Sequence, residues 1–110
     1  MRHPWLLRRE QAALVIVDVQ ERLVRVLPHQ EVWLPNILRL AQAARILGLP
    51  LLFTEQYPKG LGPTVPALQE VLQGALGFEK LTFSAWGVEE FREALRRRQI
   101  RQVLLTGAET

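Results

Sequence analysis

Two charged side chains sit where apolar runs give out. Asp18 closes the run Ala-Ala-Leu-Val-Ile-Val of residues 12–17, and Lys80 falls within a weaker extended segment at residues 78–83. A short run with no polar break reads as a strand buried on both faces, at the centre of a parallel sheet. In open α/β sheets, ligands bind at the carboxyl ends of such strands. Taken singly, Asp18 reads as the N-cap of whatever helix follows, and Lys80 as a surface lysine. Taken together on the carboxyl side of one sheet, a carboxylate and an ammonium could pair and could tune a third group.

The flanking segments predict the scaffold that would hold them. In residues 31–47, Leu34, Ile37, Leu38, Ala41 and Ala44 recur at three- and four-residue spacing and form one apolar stripe of a helix. Gly48 is placed to cap it, and Pro50 cannot continue it. Residues 51–54 form a second short buried strand, so a helix runs into a strand through a tight turn. That is a crossover unit, right-handed in almost every case. Residues 55–66 contain three prolines and two glycines, which predicts a loop without regular structure over the same face as Asp18. Residues 67–72 suit a short helix. Residues 88–98 form a second clear helix, buried along Val88, Phe91 and Leu95, with Glu89, Glu90 and Glu93 early and arginines late, as the helix dipole favours. Residues 102–106 form a fourth strand, and Gly107 turns the chain. The sum is an α/β fold, a parallel sheet with crossover helices in a single domain over residues 1–110.

Composition narrows the function classes. With 48% hydrophobic and 23% charged residues, the chain has the profile of an ordinary globular domain. It has no cysteine, which excludes disulfides, zinc–thiolate sites and a cysteine nucleophile within these residues, and fits a reducing compartment. The arginine-bearing N-terminus has no apolar run long enough for a signal peptide. No stretch approaches the ~20 apolar residues of a membrane span. The expectation is a cytoplasmic protein without membrane contact. The net charge of +3 owes much to Arg8–Arg9 and to Arg96, Arg97, Arg98 and Arg101. Such clusters can attract nucleic acid or anionic surfaces. No aromatic residues are interleaved as base-stacking platforms, so they read as a solvated helix end, and nucleic acid is not an expected partner.

Other chemistries that use strand ends fit poorly. A receiver domain needs an acidic doublet near the first strand and an aspartate ending the third, and neither is present. A dinucleotide-binding turn needs glycines after the first strand, where this chain has Asp18-Val19-Gln20-Glu21-Arg22. Gly60-Leu61-Gly62 is too short and too proline-flanked for a phosphate loop.

One family does match. Leu14-Val15-Ile16-Val17-Asp18-Val19-Gln20 resembles the first-strand signature of the isochorismatase-like cysteine hydrolases: an apolar run, Asp, apolar, Gln. Phe78-Glu79-Lys80, followed by Phe83-Ser84-Ala85, resembles the family's lysine segment. Val103-Leu104-Leu105-Thr106-Gly107-Ala108-Glu109-Thr110 resembles its fourth strand and the turn before the nucleophile. The loop from Thr54 to Gly62 is similar to that of the isochorismatase domain-containing subgroup. The likeness runs from Ala12 to Thr110.

The resemblance implies a Rossmann-like sheet of order 3-2-1-4-5-6, of which this chain would supply 3-2-1-4. It implies a catalytic set of Asp, Lys and Cys. Asp18 would take the thiol proton, and Lys80 would hold the aspartate and favour the thiolate. The cysteine would attack an amide or related carbon and form a covalent intermediate. The turn Gly107, Ala108, Glu109 would form the oxyanion hole, with a non-proline cis peptide at Ala108–Glu109. Gln20 and Tyr57 would belong to the substrate loop. Nicotinamidases of the family hold a metal through an aspartate and two histidines after the second strand. The only histidines here are His3 and His29, neither of them in that loop, so no metal or other cofactor is expected. Relatives carry the cysteine three residues beyond the position of Thr110, so the expectation is a C-terminally truncated domain, inactive by itself. Two functions follow: the hydrolase half-site of a small-molecule enzyme, or a non-catalytic scaffold that forms homo-oligomers through an exposed fourth strand.

Overall fold

A computed structural model describes residues 6–81 and 84–108. The four strands are β1 (Ala12–Val17), β2 (Leu51–Gln56), β3 (Leu76–Lys80) and β4 (Gln102–Gly107). All pair in parallel, in the spatial order β3-β2-β1-β4. β1 lies between β2 and β4 and is buried at all six residues, which is why its sequence has no polar alternation.

Odd and even residues of β1 serve different halves of the core. Leu14 and Ile16 pack with Ile37, Ala41 and Ala44 of the long helix α2 (Gln30–Leu47), and with Leu68 and Leu72. Ala13, Val15 and Val17 pack on the opposite face with Leu52, Phe91 and Leu95. Phe91 and Leu95 belong to α5 (Glu89–Arg97). Phe91 also meets Phe78 edge-on, with ring centroids 5.6 Å apart, a geometry that suits the ring quadrupoles. Burying these side chains on both faces, at roughly 1.5–3 kcal/mol each, holds the strand ends in place. No helix among the described residues is long and apolar enough to cross a membrane.

The expected elements appear, with shifts that have physical causes. α2 begins one residue earlier than predicted and ends at Gly48, whose left-handed backbone (φ 74°) donates back to the last turn. The 55–66 segment is more regular than its prolines predicted. β2 extends to Gln56, and Pro58–Leu61 forms a short helix, α3. Pro58 starts that helix, where a missing N–H costs nothing. The short helix expected at 67–72 is shorter and begins at Pro66 (α4, Pro66–Gln69). β3 starts two residues before the predicted 78–83 and ends at Lys80, because Leu76 and Phe78 are the side chains that reach the core on the α5 side. Thr82 and Phe83 lie outside the described residues. A further short helix, α1 (Glu21–Val24), follows β1.

At the end of β4, Gly107 pairs with Val17 at φ 141°. A Cβ there would lie 2.2 Å from the Val17 carbonyl oxygen and 2.6 Å from its nitrogen. Glycine alone lets the two backbones come this close. Gly107→Ala must therefore part β4 from β1, and we expect a stability loss above about 3 kcal/mol, large for one methyl group. Urea unfolding followed by circular dichroism measures it; a loss below about 1 kcal/mol would mean that the register is not so constrained.

Candidate active site

Three strands end around one buried carboxylate. Asp18 follows β1 directly and takes a left-handed backbone (φ 56°). This costs a non-glycine residue about 1–2 kcal/mol, though aspartate tolerates it better than most. Its N–H donates to the Thr54 carbonyl at 3.1 Å, which ties the turn to β2. The side chain is then held at both oxygens. Thr54 Oγ1 donates to Oδ1 at 2.7 Å, and Lys80 Nζ lies 2.7 Å from Oδ2. Neither charged side chain reaches solvent.

This settles the two simpler readings of the charged pair. Asp18 caps no helix: α1 starts at Glu21 with Gln20 as its cap residue, and no side chain caps it. Lys80 is not a surface lysine. Its strand pairs Lys80 with Gln56, two residues beyond the Thr54–Phe78 pair, and its side chain is buried. A charge pair this dry is held by its geometry, because each ion has lost several kcal/mol of hydration that only the partner and hydrogen bonds return. Thr54 is the member that sequence reading missed. The available signal was a hydroxyl closing a buried apolar strand, the same pattern that marked Asp18.

Gln20 and Tyr57 were expected in the substrate loop. Gln20 is fully buried, and its amide is engaged by backbone: Nε2 donates to the carbonyls of Gln56 (3.0 Å) and Gly62 (2.8 Å), and Oε1 accepts from Gln56 N–H (2.8 Å). Its side chain is thus a clamp on the segment that crosses the site. Glu55 adds a second clamp, accepting from both the N–H and the hydroxyl of Thr64. Tyr57 is about half exposed, in a left-handed conformation (φ 40°), and its N–H donates to the Lys80 carbonyl at 3.0 Å. Its ring lies where a Cβ of residue 60 would stand, 2.5 Å from that position, so Gly60 makes room for it.

Gly107 and Ala108 end β4 beside Asp18, since Gly107 pairs with Val17 and Ala108 N–H donates to the Val17 carbonyl at 2.9 Å. Glu109, and with it the Ala108–Glu109 peptide, lies outside the described residues. Among the described residues, no three of His, Cys, Asp and Glu converge on a point where a metal could bind.

An Asp–Lys pair at the carboxyl end of a 3-2-1-4 parallel sheet places the chain in a class: α/β folds that gather polar side chains at the ends of their central strands. Comparison with known proteins is more specific. The isochorismatase domain model matches residues 12–110, and the chain belongs to that family. Isochorismatase domain-containing protein 2 of Bos taurus is 39% identical over 97 residues, which cover 88% of this chain and 46% of that protein. The Rattus norvegicus protein of the same name is 41% identical, over 92% of this chain and 47% of its own length. The chain thus spans about half the length of the curated relatives it matches. Among solved structures, a protein described as the MAR1 ribonuclease of Caenorhabditis elegans superposes with a TM-score of 0.84 at 35% identity, covering 92% of this chain and 52% of that one. The YcaC gene product of Escherichia coli, described as an octameric hydrolase of unknown specificity, gives 0.87 at 25% identity, over 97% of this chain and 54% of that one.

The buried pair makes a stability prediction independent of any reaction. Asp18→Leu or Lys80→Met alone strands one buried charge and should cost about 3–5 kcal/mol, whereas the double variant should recover most of it. Urea titrations of the three variants form the cycle. If each single change costs under about 1 kcal/mol, water reaches the pair.

Proposed function

We propose that the Asp18–Lys80 pair is the base half of a cysteine-dependent hydrolase site that acts on a small amide or related substrate. The nucleophile would be supplied by polypeptide beyond these 110 residues. The observation that carries this reading is the pre-formed, desolvated carboxylate held by Thr54 and Lys80 beside the turn that ends β4. In this scheme a thiol placed after the turn gives its proton to the Asp18 carboxylate, and Lys80 keeps the resulting thiolate in a positive field. The sulfur attacks the acyl carbon, and backbone N–H groups in the Gly107–Ala108–Glu109 turn receive the oxygen's charge. The amine leaves with a proton returned from Asp18, and water cleaves the acyl-sulfur bond.

A second reading rests on the exposed flank of the sheet. β4 is an edge among the described strands, and Val103 (41%) and Leu105 (56%) are exposed on it. An unpaired strand edge with apolar side chains is a template for another chain, so the protein would form homo-oligomers through it.

Ammonia release from a panel of small primary amides tests the first reading. The 110-residue chain should give none. A longer polypeptide that brings a cysteine to the β4 turn should give turnover, with kcat/KM falling about 10²–10⁴-fold in Asp18→Asn. Turnover by the 110 residues alone, lost in Asp18→Asn, would overturn the cysteine assignment.

Sedimentation velocity tests the second reading. The wild-type chain should sediment as a dimer or larger and Leu105→Lys as a monomer; a monomeric wild type at high concentration counts against it.

A further inference from the structure

The amino-terminal end of the sheet, opposite Asp18, gathers arginines from chain segments far apart in sequence. Arg8 and Arg9 enter β1, Arg96 to Arg98 finish α5, and Arg101 precedes β4. Backbone bonds fix these segments to one another. Arg101 N–H donates to the Gln11 carbonyl at 2.9 Å. The Gln102 side chain accepts from Arg8 N–H at 2.7 Å and donates to the Leu6 carbonyl at 2.8 Å. Gln99, left-handed at φ 55°, turns the chain out of α5 so that Ile100 N–H reaches the Leu95 carbonyl. Between them lies a cleft of ≈ 510 Å³ whose walls include Arg96, Arg101, Gln11, Gln99 and Glu10.

The charges at this end do not cancel. Arg96 and Arg97 both contact Glu93. Hydrogen bonds from Arg96 and then Arg97 hold that carboxyl below its ordinary range. Among the described residues no salt bridge engages Arg8, Arg9, Arg98 or Arg101, and all four are exposed. The arginines here outnumber the carboxylates near them: Glu10 stands in the cleft, and Glu89, Glu90 and Glu93 line the neighbouring groove together with Arg97 and Arg98. Like charges gathered on bonded backbone set up a positive potential that attracts anions.

We infer that this end of the sheet binds the sugar-phosphate backbone of a nucleic acid strand, through Arg8, Arg9, Arg98 and Arg101. Arg101 lines the cleft with Arg96, Gln11, Gln99 and the carboxylate of Glu10, while Arg8, Arg9 and Arg98 stand outside its wall; a recess with cations in and around it suits a flexible chain of phosphates better than a flat bilayer. No aromatic side chain lies in the cleft's wall, so binding is through phosphate, without base preference. In sequence these arginines form two separate clusters; the bonds from Arg101 to Gln11 and from Arg8 to Gln102 bring them to one end of the sheet. The site is distant from Asp18 and Lys80 and stands whether or not the hydrolase reading does.

The test is fluorescence anisotropy of a labelled oligouridine strand titrated with the 110-residue chain. Four phosphate contacts, each contributing about 0.7 to the salt exponent for single strands, predict about 50-fold weaker binding from roughly 50 to 200 mM salt. Arg101→Ala should lower that exponent by about 0.7. The quadruple Ala variant, shown folded by circular dichroism, should lose binding, and Lys59→Ala at the far end should keep it. Absence of binding by the wild type at the lower salt overturns the proposal. So does unchanged binding by the quadruple variant, or affinity that does not fall with salt. Phosphatidylserine vesicles are the parallel probe: arginine-dependent capture by vesicles without binding to the oligouridine assigns the surface to lipid and overturns it as well.

Discussion

A carboxylate and an ammonium that both lie out of reach of water impose the tightest constraint on this molecule. In a low-dielectric interior the two charges are tolerated only at contact distance and with their remaining capacity met by hydrogen bonds. Asp18 and Lys80 sit 2.7 Å apart, and the second oxygen of Asp18 is met by Thr54. These residues come from the ends of β1, β3 and β2, so the pair forms only if all three strands stop at the right level. A slip of one residue in β2 would turn Thr54 to the opposite face of the sheet.

The rest of the carboxyl end follows from that requirement. Asp18 must leave β1 in a left-handed turn to aim its carboxylate, and the segment after it is stitched down: Val65 N–H donates to the Val19 carbonyl, and Glu21 N–H to that of Pro63. Gln20 and Glu55 pin the long β2–α4 connection at Gly62 and Thr64, at the same end of the sheet as the pair. Gly107 brings β4 against β1 at backbone contact, so whatever follows the turn starts beside the carboxylate. Two α/β traits meet here: side chains gathered at strand ends, and a scaffold that holds them rigidly from both faces.

The two ends of the sheet have opposite characters. At the carboxyl end one carboxylate and one ammonium, Asp18 and Lys80, are paired and dry. At the amino end exposed arginines outnumber the carboxylates among them. β4 belongs to both ends, and its outer flank carries Val103 and Leu105 towards solvent, unlike β1, whose every residue is enclosed. That asymmetry is a property of the strand order, since β1 has neighbours on both sides and β4 on one among the described residues.

Much of this architecture was legible in the residues themselves, because local signals suffice for it. Unbroken apolar runs marked the buried strands, a three-and-four spacing marked α2 and α5, and Gly48 marked a helix end, as its left-handed backbone bears out. The order 3-2-1-4 and the importance of Asp18 and Lys80 came from family resemblance and from their place at strand ends. Tertiary structure alone decided the partners. Nothing local to Thr54 says that its hydroxyl meets a carboxylate 36 residues earlier, nothing local to Gln20 says that its amide is spent on Gln56 and Gly62, and arginines nearly ninety positions apart become neighbours only when β1 and β4 pair. Backbone preference and hydrophobic period act over a few residues and can be read in order along the chain. Hydrogen bonds, ion pairs and charge clusters depend on distances of a few ångströms between segments, which exist only once the strands have found their register.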